Sequence, residues 1–515
     1  MSNAVLHSRA QLGIEAPAVT IEVHLSGGMP GFSVVGLAET AVRESRDRVR
    51  AALENAGFKL PIAHITVSLA PADLPKQGGW FDLPIALGIL IASQQIRCER
   101  DLDQVEFAAE LSLQGQLRPV RGLLPAVAAA RKAGRVMLTS VANADEGSLA
   151  GSECTLRAAR LMDAVAWLGG QQELECGVLA RQKQPPETPP DLADVIDQPL
   201  AKRALEVTAA GGHNMLMVGP PGAGKSMLAQ RLPGILPPLR HDQALEVAMI
   251  HSISGQRRIS GGRIAPFCSP HHTASAPALI GGGRIPRPGA ASLAHQGVLF
   301  LDELPEFDRR TLEALREPLE TGEVAIARAE GHATFPARFQ LIAAMNPCPC
   351  AQSEHCRCSA SQIERYRSRL SGPLIDRIDI RLQIPAVSIQ ALMRPKAKDS
   401  ESSADVAQRV QAARQRQWQR CGKLNAWLGA AEVETYCALG RREQGFVQQA
   451  VERLGLSARG YHRLLRVART IADLAGAESI SCQHLAEAIN YRRYDPGSEH
   501  GQPGLRLAAG TGSKG

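Results

Sequence analysis

The chain has 515 residues, of which 44% are hydrophobic and only 4% aromatic. This length is too great for a single hydrophobic core, so two or three domains are expected, and no apolar run reaches the roughly 18–20 residues that a membrane-spanning helix needs. The net charge of +7 permits a nucleic-acid partner without requiring one. Because the N-terminus lacks the basic and apolar segments of a signal peptide, we expect a cytoplasmic protein without membrane association.

The first region, residues 1–180, alternates short strands with helices. "HITVSLAPAD" has the alternation of a strand, whereas "DLPIALGILIAS" and "LLPAVAAARKAG" have the apolar spacing of helices. "RVMLTS" and "CTLRAA" predict further short strands. The stretch "RQKQPPETPPD" then predicts an extended linker at 181–192, because prolines and polar residues cannot form a packed element there.

Two segments of this first region carry a resemblance to a protease. "APADLPKQGGWFDLPIALG" and "AELSLQGQLRPVRGLLPAVAAA" resemble the proteolytic domain of Lon-type proteases, which implies a Lon-like α+β domain over 1–180. The resemblance places the catalytic serine on or next to Trp80 and the catalytic lysine on Leu124. Neither side chain can attack a carbonyl or take a proton, and neither Lys76 nor Lys132 is a convincing substitute. We therefore expect a Lon-like domain without peptidase activity.

The segment "MLMVGPPGAGKSMLAQRL" fits the phosphate-loop pattern G-x-x-x-x-G-K-[ST], with an apolar strand before it and a helix after it. Glycines let backbone N–H groups converge on phosphate oxygens, and the N-terminal end of the helix favours their negative charge. The lysine would contact the β- and γ-phosphates, and the serine hydroxyl would ligate Mg²⁺. The predicted ATP-binding residues are Gly219, Pro220, Pro221, Gly222, Ala223, Gly224, Lys225 and Ser226.

Two further apolar strands end in polar residues that suit ATP hydrolysis. "GVLFLDEL" ends in Asp302, which would hold Mg²⁺, and Glu303, which would polarise the attacking water. "FQLIAAMNPCP" ends in Asn346, whose amide can hold that water or contact the γ-phosphate. Strands alternating with helices predict a parallel, three-layer α/β sheet, so we expect an ATPase core over 193–385.

The segment "LSGPLIDRIDI" resembles the arginine-finger segment of AAA+ ATPases in the helix-2-insert group, which includes the magnesium chelatase ATPase subunit and the MCM helicases. This resemblance implies that Asn346 is sensor 1 and that Arg377 reaches the nucleotide of a neighbouring subunit. The alternative is that Arg377 forms surface ion pairs with its acidic neighbours. "SARGYHRLLRVA" resembles the sensor 2 helix, with Arg459 at the motif position and Arg463 as a competing candidate.

Two insertions interrupt this core, one rich in glycine, proline and basic residues and the other a predicted hairpin. "ETGEVAIARAEGHATFPARF" predicts a β-hairpin whose turn carries Arg328 and His332. In ring-shaped relatives such elements face the central pore, and basic tips suit a phosphate backbone without reading its sequence. The other insertion contains His271 and His272, which we interpret as hydrogen-bonded side chains because no further metal ligand lies nearby.

The loop "CPCAQSEHCRC" brings four cysteines together. Four thiolates can close a tetrahedral Zn²⁺ site, so we predict structural zinc held by Cys348, Cys350, Cys356 and Cys358, with His355 as a substitute ligand. The alternative is a reduced, redox-sensitive loop. The zinc would tether the segment between Asn346 and the arginine-finger helix.

The last third of the chain is predicted to be mostly helical. "RPKAKDSESSAD" predicts a second linker at 386–405, followed by a helical lid at 406–497. The Gly-rich segment at 498–515 predicts a disordered tail.

A Lon-like domain without its dyad, joined to a chelatase-like AAA+ module, resembles the ComM/YifB-type family. The resemblance implies a hexameric, ATP-driven DNA motor, a helicase or branch-migration translocase. It would act on single-stranded or branched DNA in natural transformation and homologous recombination, with recombinase machinery as an implied partner. ATP and Mg²⁺ are the implied cofactors.

Two other functions stay open at this point. A protein-remodelling ATPase or ATP-dependent peptidase would use aromatic and hydrophobic pore loops, whereas the candidate loops here are rich in Gly, Arg and His. A magnesium chelatase ATPase subunit would give no reason for a Lon-like domain.

Overall fold

A computed structural model of the chain describes residues 2–35, 40–74, 76, 78–178, 189–256, 263–283, 286–328, 331–351, 356–388, 390, 393 and 401–492. The predicted tail at 498–515, most of the predicted linker at 181–192 and the proposed substitute ligand His355 lie outside the described residues.

The N-terminal region is built on a mixed sheet with the strand order β3-β4-β2-β1-β5-β8-β9. The strands are β1 (Ser2–Arg9), β2 (Ala18–Ser26), β3 (Gly31–Val35), β4 (His64–Ala70), β5 (Val105–Ala108), β6 (Glu110–Leu111), β7 (Leu117–Arg118), β8 (Val136–Ser140) and β9 (Thr155–Ala158), of which β6 and β7 form a separate hairpin. β2 pairs antiparallel with β1 and β4, whereas β5, β8 and β9 run parallel to β1.

The helices of this region are α1 (Thr40–Asn55), α2 (Asp82–Ala92), α3 (Leu123–Lys132), α4 (Val141–Gly147) and α5 (Leu161–Leu168). α2 lies across β1 and β2, and nearly all of its residues are buried, which is why its sequence is apolar on every side. A Cβ at Gly88 would come 2.6 Å from Val23, so glycine is needed for this close approach of helix and sheet. The helices predicted at α2 and α3 and the strands predicted at β4, β8 and β9 are confirmed.

The second region contains a parallel sheet with the order β11-β14-β17-β10-β18. Its strands and associated hairpins are β10 (Met215–Val218), β11 (Phe267–Cys268), β12 (Gly281–Gly282), β13 (Arg287–Pro288), β14 (Val298–Leu301), β15 (Glu323–Arg328), β16 (Gly331–Pro336), β17 (Gln340–Met345) and β18 (Ile380–Gln383). Its helices are α6 (Pro199–Gly211), α7 (Lys225–Ile235), α8 (His241–Ser254), α9 (Ala276–Ile280), α10 (Ala290–Leu293), α11 (Arg309–Glu313), α12 (Arg316–Thr321), α13 (Ala360–Arg367) and α14 (Gly372–Ile375).

Central strand β10 shows why this region has three layers. Met215 and Met217 belong to one apolar core, together with α6, α7 and the C-terminal helices, whereas Leu216 and Val218 belong to a second core on the other face. Strands covered on both faces are apolar at every position, and β10, β14 and β17 are buried throughout. The predicted parallel α/β core is confirmed.

The C-terminal region is helical, as predicted. Its helices are α15 (Ser403–Cys421), α16 (Ala430–Tyr436), α17 (Arg441–Leu454), α18 (Ala458–Leu474) and α19 (Cys482–Asn490). α15 begins inside the predicted linker at 386–405, because Ser402 and Asp405 cap each other's backbone N–H groups and Ser403 accepts a hydrogen bond of 2.7 Å from the Leu192 N–H. Within the described ranges, no helix combines the length and apolar character needed to cross a lipid bilayer.

The N-terminal region packs on the second region. Leu245, Ala248 and Met249 of α8 lie against the N-terminal core, and α3 contacts α8. Ile14 packs on the core that includes the buried face of the β15–β16 hairpin.

Candidate nucleotide-binding and hydrolysis site

The phosphate loop connects the carboxyl end of β10 to the first turn of α7. Gly222 and Gly224 have φ values of +75° and +85°, a region that favours glycine. A Cβ at Gly219 would come 2.3 Å from the Ile384 carbonyl oxygen, so this glycine lets the loop pass close to the segment after β18. The loop therefore has the geometry that the motif predicts.

Lys225 is buried at the start of α7, with its ammonium folded over the loop. Nζ donates to the carbonyl oxygens of Gly219 at 2.7 Å and Pro220 at 2.9 Å, and to Asn346 Oδ1 at 3.2 Å. Burial lowers the pKa of Lys225, while Asp302 and Glu303 oppose that shift. Lys225 and Asn346, which are 121 positions apart, thus meet at one point because β10 and β17 are neighbours.

A candidate Mg²⁺ site lies beside this lysine. The Ser226 hydroxyl donates to Asp302 Oδ2 at 2.6 Å, and Asp302 Oδ1 accepts from the Glu303 N–H at 2.9 Å. A hydroxyl and a carboxylate at this separation are oxygen donors of the kind that Mg²⁺ prefers, and the ion usually keeps several waters as well. Both predicted ligands therefore fit the metal.

Glu303 contacts a residue that sequence reasoning did not connect with the site. Its backbone is left-handed, with φ of +51°, and its carboxylate Oε2 lies 3.2 Å from His272 Nδ1. The two side chains are 52% and 33% exposed. The His272 ring packs on the His271 ring with centroids 4.1 Å apart. One feature of the sequence could have pointed to this contact. The paired histidines follow β11, and β11 pairs with β14, the strand that precedes Glu303.

Arg377 lies away from the phosphate loop of its own chain. It is 5% exposed, donates to the Pro373 carbonyl oxygen at 2.6 Å and forms an ion pair with Glu320. Burial lowers the pKa of Arg377, and Glu320 counteracts this shift. This ion pair differs from the alternative stated in the sequence analysis, in which Arg377 pairs with acidic residues next to it in the chain. Glu320 is instead 57 positions away.

Arg459 also lies away from the phosphate loop. It is exposed on α18 and lines a cavity of about 350 Å³ together with Glu320, His462, Arg463 and Arg466. Asn214 and Phe339, which line the same cavity, precede β10 and β17, whereas the phosphate loop follows β10. The cavity therefore lies at the amino-terminal edge of the sheet, and the nucleotide site at the opposite edge.

A buried carboxylate joins this cavity to the sheet. Asp379 accepts from Arg463 at 2.9 Å and from the Asn214 N–H at 3.2 Å, and it lies 3.4 Å from His213 Nδ1. Burial alone would raise the pKa of Asp379, but Arg463 and then His213 outweigh it and hold the pKa well below its ordinary value. This pairing fixes Arg463, the competing sensor 2 candidate, against the core.

The four clustered cysteines follow Asn346 directly. Their sulfur atoms all lie within 4.8 Å of one another. Burial, followed by hydrogen bonds to neighbouring thiols, raises the pKa of Cys348 to about 12. A raised pKa favours the protonated thiol, whereas a bound metal ion would favour the thiolate, because a coordinating thiol is deprotonated.

The two predicted DNA-binding residues lie at the end of the β15–β16 hairpin. Arg328 pairs with Gly331 and Ala327 with His332 in its register. His332 is exposed, while the side chain of Arg328 lies outside the described part of the structure. The predicted hairpin is confirmed.

The positions that the Lon resemblance assigned to the dyad are both buried and apolar. Trp80 is 5% exposed and Leu124 is fully buried, and both belong to the N-terminal core. Lys76 is buried as well and donates to the carbonyl oxygens of Pro71 and Leu74, so backbone acceptors already hold its ammonium. Burial lowers the pKa of Lys76.

Family comparisons assign all three regions to one kind of protein. Residues 21–143 match the description "Subunit ChlI of Mg-chelatase", and residues 191–392 match "Magnesium chelatase, subunit ChlI". Residues 400–492 match "Magnesium chelatase, subunit ChlI C-terminal".

Individual relatives match over almost the whole chain. The competence protein ComM of Haemophilus influenzae is 50% identical over 499 residues, covering 96% of this chain and 98% of the relative. YifB of Escherichia coli K12 is 49% identical over 502 residues, with the same coverage. A partial match, 25% identical over 218 residues, covers 39% of this chain and 25% of the DNA replication licensing factor Mcm6 of Drosophila pseudoobscura pseudoobscura.

Proposed function

Because the chain belongs to the ComM/YifB family of magnesium chelatase ChlI-like AAA+ proteins, we propose that it is an ATP-driven DNA motor. The observation that carries the proposal is the convergence of Lys225, Ser226, Asp302 and Asn346 at the carboxyl edge of the parallel sheet. Ligands of open α/β sheets bind at this edge.

The residues at this edge have distinct roles in the proposed hydrolysis of ATP. Lys225 would exchange its two carbonyl acceptors for β- and γ-phosphate oxygens, and Ser226 and Asp302 would hold Mg²⁺, whose charge would offset that of the phosphates. Glu303 orients the attacking water and takes its proton, and Asn346 holds that water from the other side. His272 must release Glu303 before the carboxylate can act.

We further propose that the chain works as a ring, with six subunits as in the family resemblance. Arg377 and Arg459 lie at the opposite edge of the sheet from the phosphate loop, so they suit contact with the nucleotide of a neighbouring subunit. An arginine supplied in trans stabilises charge in the transition state and couples hydrolysis to assembly. Arg463, held by Asp379, would support the same surface.

The polymer moved by this motor is proposed to be DNA, single-stranded or branched. The support is the exposed His332 beside Arg328 on the hairpin, the Gly- and Arg-rich insertion and the net charge of +7. The name of the Haemophilus relative refers to competence, and the name of the partial match refers to DNA replication. Transformation and homologous recombination in the cytoplasm, with recombinase proteins as partners, are therefore the proposed setting. A Zn²⁺ at the four cysteines completes the proposed cofactors.

The test is steady-state ATP hydrolysis with a four-way DNA junction, duplex DNA, single strands or unfolded protein added in turn. Stimulation that is strongest with the junction, absent in Glu303→Gln and lost in an Arg328→Ala/His332→Ala hairpin variant would support the proposal. Stimulation by unfolded protein alone would refute it and favour the protein-remodelling alternative. Stimulation only by a porphyrin with its partner subunits would favour the chelatase alternative.

A further inference from the structure

The four sulfur atoms of the cysteine loop lie within 4.8 Å of one another, close enough to share one tetrahedral metal ion. Cys348 Sγ lies 3.4 Å from Cys350 Sγ and 3.5 Å from Cys356 Sγ, and the Cys350 and Cys356 sulfur atoms are 3.7 Å apart. A Zn–S distance of about 2.3 Å places the thiolates of a tetrahedron about 3.8 Å apart. A disulfide needs about 2.05 Å, so none of these pairs is bonded.

The sequence of the loop offers few apolar side chains that could hold its shape. Between Cys348 and the N-cap Ser359 the residues other than cysteine are Pro349, Ala351, Arg357 and the polar segment at 352–355. The next buried anchor is Tyr366 on α13. Segments with few apolar side chains often obtain their order from a disulfide or a metal, and the four thiols can provide the metal site.

The position of the loop joins it to the hydrolysis site. Only Pro347 separates Cys348 from Asn346, and the proline ring fixes φ between them. Cys348 is 4% exposed at the end of β17, whereas Cys356 is exposed at the other side of the loop. The Asn346 amide contacts Lys225 at 3.2 Å. Cys348 and the side chain that contacts Lys225 are therefore linked through a single proline whose φ is restricted.

We propose that Cys348, Cys350, Cys356 and Cys358 bind one Zn²⁺ and that this ion positions Asn346, so that the metal controls ATP hydrolysis while leaving nucleotide binding intact. The coupling to hydrolysis rests on the proposed function, whereas the metal site does not. Binding releases the thiol protons, because the ligands are thiolates. The phosphate loop holds Lys225 through the carbonyl oxygens of Gly219 and Pro220, which do not belong to the cysteine loop, so we expect phosphate binding to survive loss of the metal.

The metal is tested by elemental analysis of the full-length chain purified in reducing buffer without chelator. We expect about one zinc per chain in the native protein. Cys356→Ser and Cys358→Ser should each reduce zinc at least about fivefold, because three thiolates bind more weakly than four. Cys176→Ser is the matched control, since Cys176 is an exposed cysteine of the N-terminal region. Iron in place of zinc, or no metal in the native chain, would overturn the assignment.

The coupling is tested by separating nucleotide affinity from turnover. In Cys358→Ser we expect the Kd of a fluorescent ATP analogue to change less than about twofold and kcat to fall at least about tenfold, as in Asn346→Ala. The double variant Asn346→Ala/Cys358→Ser should have a kcat no lower than that of Asn346→Ala alone. Both substitutions remove the same contribution, the correct placement of the Asn346 amide, so their effects should not add. Additive losses, or an unchanged kcat without zinc, would refute the coupling. Circular dichroism of each variant checks that the fold is retained.

Failure of the two proposals can be told apart. A native chain that holds one zinc but hydrolyses no ATP under any condition refutes the motor and supports the metal site. A native chain that hydrolyses ATP with DNA stimulation but holds no metal supports the motor and overturns the inference.

Discussion

Replacing His272 by alanine tests whether this residue restrains Glu303. His272 Nδ1 lies 3.2 Å from Glu303 Oε2, and the side chains are 33% and 52% exposed. Exposed ion pairs contribute about 0–1 kcal/mol, and about 1 kcal/mol corresponds to roughly a fivefold change in a population. If only the released carboxylate orients water, His272→Ala should raise basal kcat by about 1.5- to fivefold and leave KM unchanged.

The assay is ATP hydrolysis without DNA and at saturating junction DNA. We expect the rise in the basal rate and little change in the stimulated rate, because DNA would already have released Glu303. His271→Ala is the matched control: His271 packs on His272 and contacts Thr273, but it does not reach Glu303. A fall in basal kcat for His272→Ala, with His271→Ala unaffected, would refute the restraint and show that His272 assists hydrolysis directly.

Three further predictions follow from the contacts at the two edges of the sheet. Ser226→Ala removes the hydroxyl that lies 2.6 Å from Asp302. The affinity for ATP, measured by calorimetry, should then fall about tenfold in the presence of Mg²⁺ and little in its absence. An equal loss of affinity in both conditions would contradict a role of Ser226 in binding the metal. Arg377→Ala should keep nucleotide affinity and reduce kcat at least about 100-fold. Mixing this variant with chains that lack the phosphate-loop lysine should restore some ATP hydrolysis, because each chain supplies the group that the other lacks. No recovery in the mixture would refute action of Arg377 in trans. Asp379→Asn removes the carboxylate partner of Arg463 and should destabilise the native chain by about 1.5–3 kcal/mol at pH 7, measured by urea unfolding. Because the folded-state pKa of Asp379 lies well below its ordinary value, this contribution is complete above about pH 4 and shrinks as pH falls through the folded-state value. A difference between the two chains that is as large at pH 2 as at pH 7 would contradict the argument.

Local patterns predict the candidate nucleotide-binding edge because each candidate residue there follows directly on a run of at least four apolar residues. Val218 precedes the phosphate loop, Leu301 precedes Asp302, and Met345 precedes Asn346. Parallel strands bring their carboxyl ends to one edge, so strand assignment alone implies that the polar residues meet. The structure places them together, while their catalytic roles stay predictions.

The opposite edge could not be predicted in the same way. Arg377 pairs with Glu320 and Arg463 with Asp379, and these partners are 57 and 84 positions apart. Such pairs depend on how α12 and α18 pack on the core, and no local spacing encodes that packing. The contact of His272 with Glu303 has the same origin, because it depends on the pairing of β11 with β14.

The N-terminal region gains a role from where it packs. Its dyad positions are filled by Trp80 and Leu124, whose burial adds to the apolar core and provides no chemistry. The same core extends onto Met249 and two other apolar residues of α8. α8 follows the phosphate-loop helix along the chain and precedes the insertion that carries His272, so the N-terminal region packs on a helix that lies between two parts of the candidate site in the sequence. This packing on α8 is therefore the contact through which we expect the N-terminal region to influence the candidate hydrolysis site.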